Sequence, residues 1–325
     1  TQIPVPPSSQ NCIWREVKTW GNYAYITTEC GTMGLQIVNL TNLPSPALAT
    51  ATWTPVVGPD TLKTIHALHI DNGKLYLYGG NLQGCLIADV SSTPMSPVYL
   101  GSYNAGGYIH DGYVRNDTMY AGHIYAGTVE IVNLTIPASG ISLASFSTPH
   151  AFTHNTWLSA DSKTCFTTDE VDGAYLAAFD ISNLGNISLI DTIQSNPGSG
   201  SVVHNTHIVN VSSADYAVTS WYKDGITVVD ASRPDNIVQV GNYDTSPLSG
   251  GGFDGCWGVY PYLPSRTIVV SDIGTGLFVL APNYVRACYI EGTIIDCSTL
   301  NPISGVLVQI VNPPAYSVNS SSDLT

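Results

Sequence analysis

One short segment of the chain carries residue types that bind metals or transfer protons at both of its ends. The segment is HNTWLSADSKTCFTTDE, residues 154–170, with His154 and Asn155 at one end and Asp169 and Glu170 at the other. Only 10% of all residues are charged, so this concentration needs an explanation. Imidazole and carboxylate groups together suit zinc, manganese, iron, nickel or copper, whereas calcium prefers oxygen ligands alone. The segment therefore predicts a transition-metal site if its two ends meet.

The sequence between the two ends is typical of a β-hairpin. A polar turn at residues 161–163 separates two runs that are rich in β-branched and aromatic residues. Antiparallel pairing about the centre of this turn is expected to place His154 opposite Glu170, and Asn155 opposite Asp169. The hairpin would thus bring an imidazole and a carboxylate side by side at one edge of a sheet.

An apolar pentamer recurs along the chain and indicates the architecture. Consecutive copies start about 44 to 50 residues apart, which is the period of propeller blades rather than of helical repeats. Each copy follows two predicted strands and precedes a turn and a last strand, so each unit holds four strands. Apolar spacing at three and four residues does not persist, so we expect no substantial helix. The copies are LQIVN (35–39), CLIAD (85–89), VEIVN (129–133), LAAFD (176–180), ITVVD (226–230) and LFVLA (277–281).

Six such units predict an all-β chain built as a six-bladed β-propeller of four-stranded blades over residues 1–283. The sixth unit lacks its last strand, and residues 2–8 are expected to supply it and so join the two ends of the ring. The Pro content of that segment would restrict it to a sheet edge. After Pro282 the pattern changes. Residues 284–325 predict a linker followed by the first strands of an incomplete immunoglobulin-like β-sandwich.

First strands line the central channel of a propeller, so the hairpin argument can be repeated in every blade. In the third blade it places His110 beside His123, and in the first it brings Trp14 near Glu29. All these strand ends fall on one rim of the channel. The alternative is that such groups only form hydrogen bonds in a polar, water-filled channel mouth. The residues predicted to converge there, some of them as metal ligands, are His66, His110, His123, His154, Asp169, Glu170, His204, Asp254 and Asp272.

The composition limits the classes of molecule that this protein is expected to bind. Acidic residues outnumber basic ones 24 to 10 among 325 residues, which argues against nucleic acid because phosphate binding needs Lys and Arg. The low charge leaves a surface of Ser, Thr, Asn, Gly and Tyr, which suggests a secreted or cell-surface protein. No stretch approaches the ~20 continuous apolar residues of a membrane span. No signal peptide begins at Thr1, so we expect the mature form of an exported protein.

Seven cysteines make an odd number for an exported protein, so at least one is free or pairs outside the chain. Cys12 and Cys30 flank the first predicted hairpin, about one residue out of direct register, and are able to bond. Cys85 and Cys165 lie inside apolar runs, where we interpret each as a small buried hydrophobic residue.

The pentamers resemble the LVIVD repeat, and the segment 154–170 is similar to the most distinctive segment of the choice-of-anchor B proteins. The resemblance covers about residues 12–281. Members are exported bacterial propeller proteins that differ in the C-terminal device that fixes them to the surface, so the resemblance implies surface display but no activity. LFVLA departs from the motif because it lacks the final acid or amide. Residues 288–311 resemble the opening of carboxypeptidase regulatory-like, immunoglobulin-type domains.

Two functions are compatible with these observations. The first is a binding or structural module with a metal at the channel mouth, which meets an extracellular protein, a glycan or neighbouring copies of itself in an extracellular assembly. The second is a metal-dependent hydrolase or lactonase, in which Glu170 or Asp169 acts as general base toward a metal-bound water. The sequence contains neither a G-x-S-x-G nucleophile elbow nor a G-x-x-x-x-G-K-(S/T) phosphate loop, and it therefore favours the first.

Overall fold

The computed structural model describes residues 14–289, 292–303 and 305–306. The chain divides into two compact units, Thr1–Arg286 and Ala287–Thr325. In the described part of the first unit, five antiparallel sheets have four strands each and a sixth has three. The predicted all-β, six-bladed propeller with four-stranded blades is confirmed. Among the described residues, no helix has the length and apolar content to cross a membrane.

The strands follow one another along the chain, blade by blade. Blade one contains β1 (Val17–Trp20), β2 (Tyr23–Ile26), β3 (Leu35–Asn39) and β4 (Thr50–Trp53), and is followed by a small hairpin, β5 (Val56–Val57) and β6 (Asp60–Thr61). Blade two contains β7 (Ala67–Asp71), β8 (Lys74–Tyr78), β9 (Cys85–Asp89) and β10 (Val98–Tyr103), with a short 3₁₀ turn at Gly80–Leu82. Blade three contains β11 (Asp111–Arg115), β12 (Thr118–His123), β13 (Thr128–Asn133) and β14 (Ile141–Ser147).

The second half of the ring repeats this order. Blade four contains β15 (Thr153–Leu158), β16 (Thr164–Asp169), β17 (Leu176–Asp180) and β18 (Ser188–Ile193). Blade five contains β19 (Thr206–Val211), β20 (Ala214–Trp221), β21 (Gly225–Asp230) and β22 (Val238–Tyr243). Blade six contains β23 (Cys256–Tyr260), β24 (Ile268–Asp272) and β25 (Gly276–Leu280). Residues 2–8, expected to add its fourth strand, lie outside the described residues, so ring closure stays a prediction.

The apolar pentamers form the third strand of every blade. In the first five blades these strands, β3, β9, β13, β17 and β21, are mostly buried. Core clusters that join residues of neighbouring blades cover them. A strand buried on both faces has an almost continuous apolar sequence instead of an alternating one. This packing explains why the repeat is visible in the sequence.

The final acid or amide of each pentamer caps the turn that follows. In five blades its Oδ1 accepts a hydrogen bond from the backbone N–H two residues later, as expected for an Asx turn. The sixth pentamer ends in Ala281, which has no side-chain acceptor, and Pro282 follows. The five pairs are Asn39 with Thr41, Asp89 with Ser91, Asn133 with Thr135, Asp180 with Ser182, and Asp230 with Ser232.

The structure bears on the predicted disulfide, on the two cysteines predicted to be buried and on the predicted C-terminal domain. Cys30 is disulfide-bonded, and its expected partner, Cys12, lies outside the described residues. Cys85 and Cys165 are free and buried, as predicted. In the described part of the second unit, a bridge joins Ile295 and Pro302. The predicted immunoglobulin-like sandwich is not shown by this segment and stays a prediction.

Two of the aspartates that cap Asx turns differ in the burial of their carboxylates, and this difference gives a testable prediction. The Asp230 side chain is fully buried, and its Oδ2 accepts a hydrogen bond of 3.0 Å from Arg286 Nε in addition to the turn. Asp230→Ala removes every one of these acceptors, so we expect the free energy of unfolding to fall by about 3 kcal/mol. The measurement is urea denaturation.

The matched control is Asp180→Ala, at the same position of blade four, where the carboxylate caps the turn through a bond of 2.8 Å to the Ser182 N–H. We expect a much smaller loss there, because this carboxylate is hydrated. Equal losses in the two variants would contradict the role assigned to the buried carboxylate.

Candidate metal centre on the propeller axis

Four imidazole rings from four consecutive blades meet on the propeller axis. His66, His110, His154 and His204 lie at or just before the first strands of blades two to five, and we call them the axial histidines. The ring centroids of successive members are 3.9, 4.5 and 4.2 Å apart. His110, His154 and His204 are all buried, and the His66 side chain is 14% exposed. Such a cluster is a candidate ligand set.

The arrangement of the first strands explains this convergence. Strands β1, β7, β11, β15, β19 and β23 lie side by side in this order around the channel. All of them run in the same direction along the channel wall, so equivalent positions in neighbouring blades come into contact. A residue type repeated at the strand start therefore becomes a ring of that residue type.

A β-bulge at His154 corrects the predicted register of its hairpin. Asn155 pairs with Thr168, while Thr153 pairs with Asp169, because the register shifts by one residue between Thr153 and Asn155. The predicted pairings of Asn155 with Asp169 and of His154 with Glu170 are therefore wrong, and the Glu170 N–H donates to the Phe152 carbonyl instead. The extra residue of the bulge is His154 itself, and bulges commonly redirect a side chain in this way.

Two axial histidines are held through their Nδ1 atoms. His66 Nδ1 lies 2.8 Å from Glu29 Oε1, and His204 Nδ1 makes a short hydrogen bond to the carbonyl oxygen of Trp257. A hydrogen bond that fixes one ring nitrogen sets the tautomer and aims the other nitrogen, as is usual for histidines that bind metals. In both residues Nε2 is the nitrogen left to bind a ligand.

The other two axial histidines contain buried polar atoms without partners. Within the described residues, the Nδ1 atoms of His110 and His154 have no partner in hydrogen-bond geometry. Their rings face the backbone carbonyls of His154 and His204 in the next blade. Unpaired buried polar atoms are costly and rare.

Burial keeps most of the axial histidines neutral. Loss of hydration lowers the pKa of His110 and His154 well below the usual 6.5, and repulsion between the rings adds to this effect. Burial also lowers the pKa of His204, to about 3. For His66, burial lowers the pKa, but the hydrogen bond and charge of Glu29 outweigh it and raise the pKa overall. Neutral imidazole is the form that binds metal ions.

Glu170 lies beside two of the rings. Its Oε2 is 3.8 Å from His154 Nε2 and its Oε1 is 3.6 Å from His204 Nε2, so the two ends of the segment 154–170 do meet. Burial raises the pKa of Glu170 to about 7, against the hydrogen bond that Tyr222 Oη donates to Oε1 over 2.6 Å. Near neutral pH this carboxyl is able to serve as an anionic ligand or to exchange a proton.

The axial histidines border a cavity of about 10 Å³, whose wall also includes Trp14 and Trp257. A cavity of this size has room for about one water molecule or one ion. His66, His110 and His154 can each direct one ligand atom to within 4.8 Å of the others, and so can the trio of His154, Glu170 and His204. The volume and the nitrogen-rich donors fit a single transition-metal ion.

Four of the nine predicted metal residues lie outside this cluster. His123 is held between the Tyr108 carbonyl and Glu130 Oε2, each at 3.1 Å from a ring nitrogen. These two contacts hold His123 within its own blade, and His123 is not among the described groups with ligand atoms close together. Asp254 is exposed to solvent and does not join the ligand atoms of the described cluster.

The remaining two carboxylates cap loops. Asp169 accepts hydrogen bonds from the Thr148 hydroxyl and from the backbone N–H groups of His150 and Phe152. Asp272 likewise accepts from the Thr245 hydroxyl and from the N–H groups of Gly274 and Thr275. These donors belong to the loops next to each strand end, and strand pairing alone does not predict their positions.

A layer of polar residues beneath the axial histidines joins the first strands to one another, and Asn155, expected to orient an imidazole, belongs to this layer. Asn155 Nδ2 donates to Asp111 Oδ2 over 2.6 Å, and the Thr206 N–H donates to Asn155 Oδ1 over 3.1 Å. These bonds tie the first strands of three blades together directly below the rings. The signal was present, because the residue after the axial histidine is Asp or Asn in blades three, four and five.

Comparison with known proteins agrees with this architecture. The family model described as LVIVD repeat matches residues 14–54, which span the first blade. The chain is a six-bladed β-propeller with an LVIVD repeat. No curated protein matches the sequence. The match covers one blade, so it supports the propeller and leaves the choice-of-anchor B assignment as an expectation.

Solved structures similar to this propeller include enzymes and a protein without a stated activity. A protein from Lactobacillus plantarum has a TM-score of 0.57 at 14% identity, with 77% of this chain and 80% of that chain covered. A putative 6-phosphogluconolactonase from Bacteroides fragilis has a TM-score of 0.55 at 12% identity, with 82% of both chains covered. The periplasmic gluconolactonase of Pseudomonas aeruginosa has a TM-score of 0.56 at 12% identity, with 94% and 85% covered. At these identities the likeness shows the fold alone.

The buried neutral imidazoles make the stability of the metal-free propeller depend on pH. In the unfolded chain they bind protons near pH 6.5, whereas in the folded chain they do so only at lower pH, about 3 for His204 and also for His69. The unfolded state thus binds more protons between these values, and the free energy of unfolding falls as the pH falls below 6.5. Glu170, with its raised pKa, offsets a part of this loss.

We therefore expect His69→Gln to flatten the decline by about 1.4 kcal/mol per pH unit below pH 6. Urea denaturation with a chelator at several pH values measures this slope. His150→Gln is the matched control, because His150 is exposed. A wild-type stability that does not change between pH 7 and 4 would contradict the assignment of neutral buried rings.

Proposed function

We propose that this protein is an exported binding or structural module in which one divalent transition-metal ion joins four blades of the propeller. The observation that carries the proposal is the group of four axial histidines around an ion-sized cavity. Each ligand comes from a different blade, so a bound ion would cross-link blades that otherwise contact only their neighbours. Such an ion stabilises the folded ring by mass action, by about 2.7 kcal/mol at a free concentration of 100 times Kd.

The donor set selects among the candidate metals. Imidazole suits zinc, copper, iron and nickel, whereas manganese and calcium favour carboxylate and carbonyl oxygens. With four imidazoles and a single carboxylate, Glu170, manganese is the weakest fit of the five metals compatible with the sequence. Proton release accompanies binding, because the raised pKa of His66 must be overcome before its Nε2 accepts a metal.

The proposed protein is exported and meets its partner outside the cell. The disulfide at Cys30 supports an oxidising compartment, because such bonds persist outside the cytosol. With a formal net charge of −14 and only 10% charged residues, the surface suits an extracellular protein, a glycan or neighbouring copies of the chain. The choice-of-anchor B resemblance points in the same direction.

Metal analysis of the purified protein tests the centre. We expect about one transition-metal ion per chain, and we expect added zinc to raise the melting temperature of chelator-treated protein by roughly 5 °C or more. His110→Ala and His154→Ala remove ligands and are expected to abolish both effects. His150→Ala, at an exposed position, is expected to keep them. Stoichiometric metal in both ligand variants would overturn the proposed site.

One observation favours a second function, a metal-dependent hydrolase or lactonase that uses the same centre. The raised pKa of Glu170, about 7, is close to the value that general-base catalysis requires at neutral pH. A metal ion at the axial histidines would supply an activated water. The 10 Å³ cavity gives a substrate no space beside the ion, and for this reason we place the structural role first.

Glu170→Gln separates the two functions. The amide keeps the size of the side chain and removes the buried charge, so we expect the metal-free variant to gain about 1–3 kcal/mol of stability at pH 8 and to retain metal. We expect neither protein to hydrolyse gluconolactone faster than buffer does. A hydrolysis rate that requires both the metal and Glu170 would replace the structural role with the enzymatic one.

A further inference from the structure

A second ring of side chains lies further along the same first strands. Three residues after each axial histidine the chain carries an aromatic ring, giving the pattern H-x-x-(H/Y/W) in four blades. Three residues of strand advance the chain by roughly 10 Å, so this ring is separate from the metal centre and shares no residue with it. The four positions are His69, Tyr113, Trp157 and His207.

Trp157 is the centre of this aromatic group. Its ring centroid lies 4.5 Å from Tyr113 and 4.4 Å from His207. Tyr262, from the loop after β23, adds a ring that lies 5.9 Å from Trp157 and is inclined to it by only 20°. Contacts at these distances fix the rings against one another and hold the face of the indole in place before any ligand arrives.

The group forms the wall of an open cavity of about 610 Å³, which is in the size range of small-molecule sites. We call it the aromatic cup. Its deep wall is made of buried rings, His69 and His207 among them. Its rim contains Tyr260 and Tyr262, which are 43% and 36% exposed. An exposed aromatic rim above a preformed aromatic wall is suited to a ring-shaped ligand.

The polar groups of the cup are few. Burial lowers the pKa of both His69 and His207, so both imidazoles are neutral at pH 7 and each offers one donor and one acceptor. His207 Nδ1 is buried and has no hydrogen-bond partner within the described residues. Lys18 supplies an ammonium group, and Tyr262 Oη already donates to the Ile208 carbonyl over 2.9 Å.

These features exclude several ligand classes. Lys18, whose Nζ lies 3.6 Å from Glu16 Oε1, and Asp71 carry opposite charges on the wall of the cup, so the wall selects neither an organic cation nor an anion. A nucleotide would need more cations than this acidic chain, with a formal net charge of −14, places there. A metal ion would need convergent donors, and the imidazoles of the cup are not among the described groups with ligand atoms close together. An uncharged ring with both apolar and polar edges is the class that fits.

We propose that the aromatic cup binds a pyranose sugar, with the C–H face of the ring against Trp157 and the rim tyrosines, and with hydroxyl groups toward the imidazoles. The inference rests on the binding role proposed above, of which it specifies the ligand, but not on the metal. The same chemistry is found in free monosaccharides and in the residues of a larger glycan.

Saturation-transfer NMR and calorimetry with methyl glycosides test this site. The probes are methyl β-glucopyranoside, methyl β-galactopyranoside, methyl α-mannopyranoside and methyl β-glucuronide, with sorbitol as an open-chain control. We expect transfer to the axial C–H protons of at least one glycoside and none to sorbitol. Binding of a methyl glycoside together with stronger binding of the matching oligosaccharide would identify a glycan as the source, whereas equal affinities would identify the single sugar.

Substitutions place the sugar in the cup. Tyr260→Ala at the rim is expected to weaken binding roughly tenfold, and Trp157→Leu to abolish it. Tyr125→Ala is the matched control, because Tyr125 is 77% exposed and lies outside the cup, and it is expected to bind like the wild type.

Metal content is measured in every variant, so that failure of the cup and failure of the metal centre are distinguished. Binding that survives both Trp157→Leu and Tyr260→Ala would overturn the proposal. Absence of transfer to all four glycosides would overturn it as well, even if the metal centre proves correct.

Discussion

Four imidazole rings in mutual contact on the axis constrain the rest of this propeller. Their centroids are 3.9 to 4.5 Å apart, and at such distances two positive charges in a buried site repel each other strongly. The rings therefore stay largely neutral, or they share the charge of one bound ion. Burial supplies the neutrality for His110, His154 and His204, and Glu29 offers a counter-charge to His66.

The blades set the positions of these rings. The apolar third strands pack against neighbouring blades, and the Asx turns at their ends fix how the chain leaves each pentamer. The first strands then adjoin one another around the channel. Their polar layer, in which Asn155 links Asp111 to Thr206, keeps neighbouring strands in register below the rings. The same strands carry the aromatic cup further along, so one repeated strand supplies two chemically different sites.

Much of this fold could be predicted from sequence because its determinants are local and repeated. The pentamers at a steady period predicted the blades, and the histidines at strand starts predicted which residues converge. The details that depend on one extra residue or on a loop could not be predicted. The bulge at His154 changed the register of its hairpin, and loop donors took Asp169 and Asp272 out of the expected site.

The aromatic cup is difficult to predict from the sequence for a different reason. Its members, His69, Tyr113, Trp157 and His207, differ in residue type from blade to blade. Their alignment becomes meaningful only when the blades are superposed. What the four positions share is an aromatic ring three residues after each axial histidine, and not the identity of the residue.

We propose that the axial imidazoles, and not surface carboxylates, hold a metal ion. X-ray absorption spectroscopy of the zinc-loaded protein tests it most directly, because imidazole rings give a characteristic outer-shell scattering pattern. We expect a first shell dominated by nitrogen at about 2.0–2.1 Å with imidazole scattering, and we expect His110→Ala to retain no zinc that gives this spectrum. A first shell of oxygen without imidazole scattering, or a spectrum unchanged in His110→Ala, would contradict it.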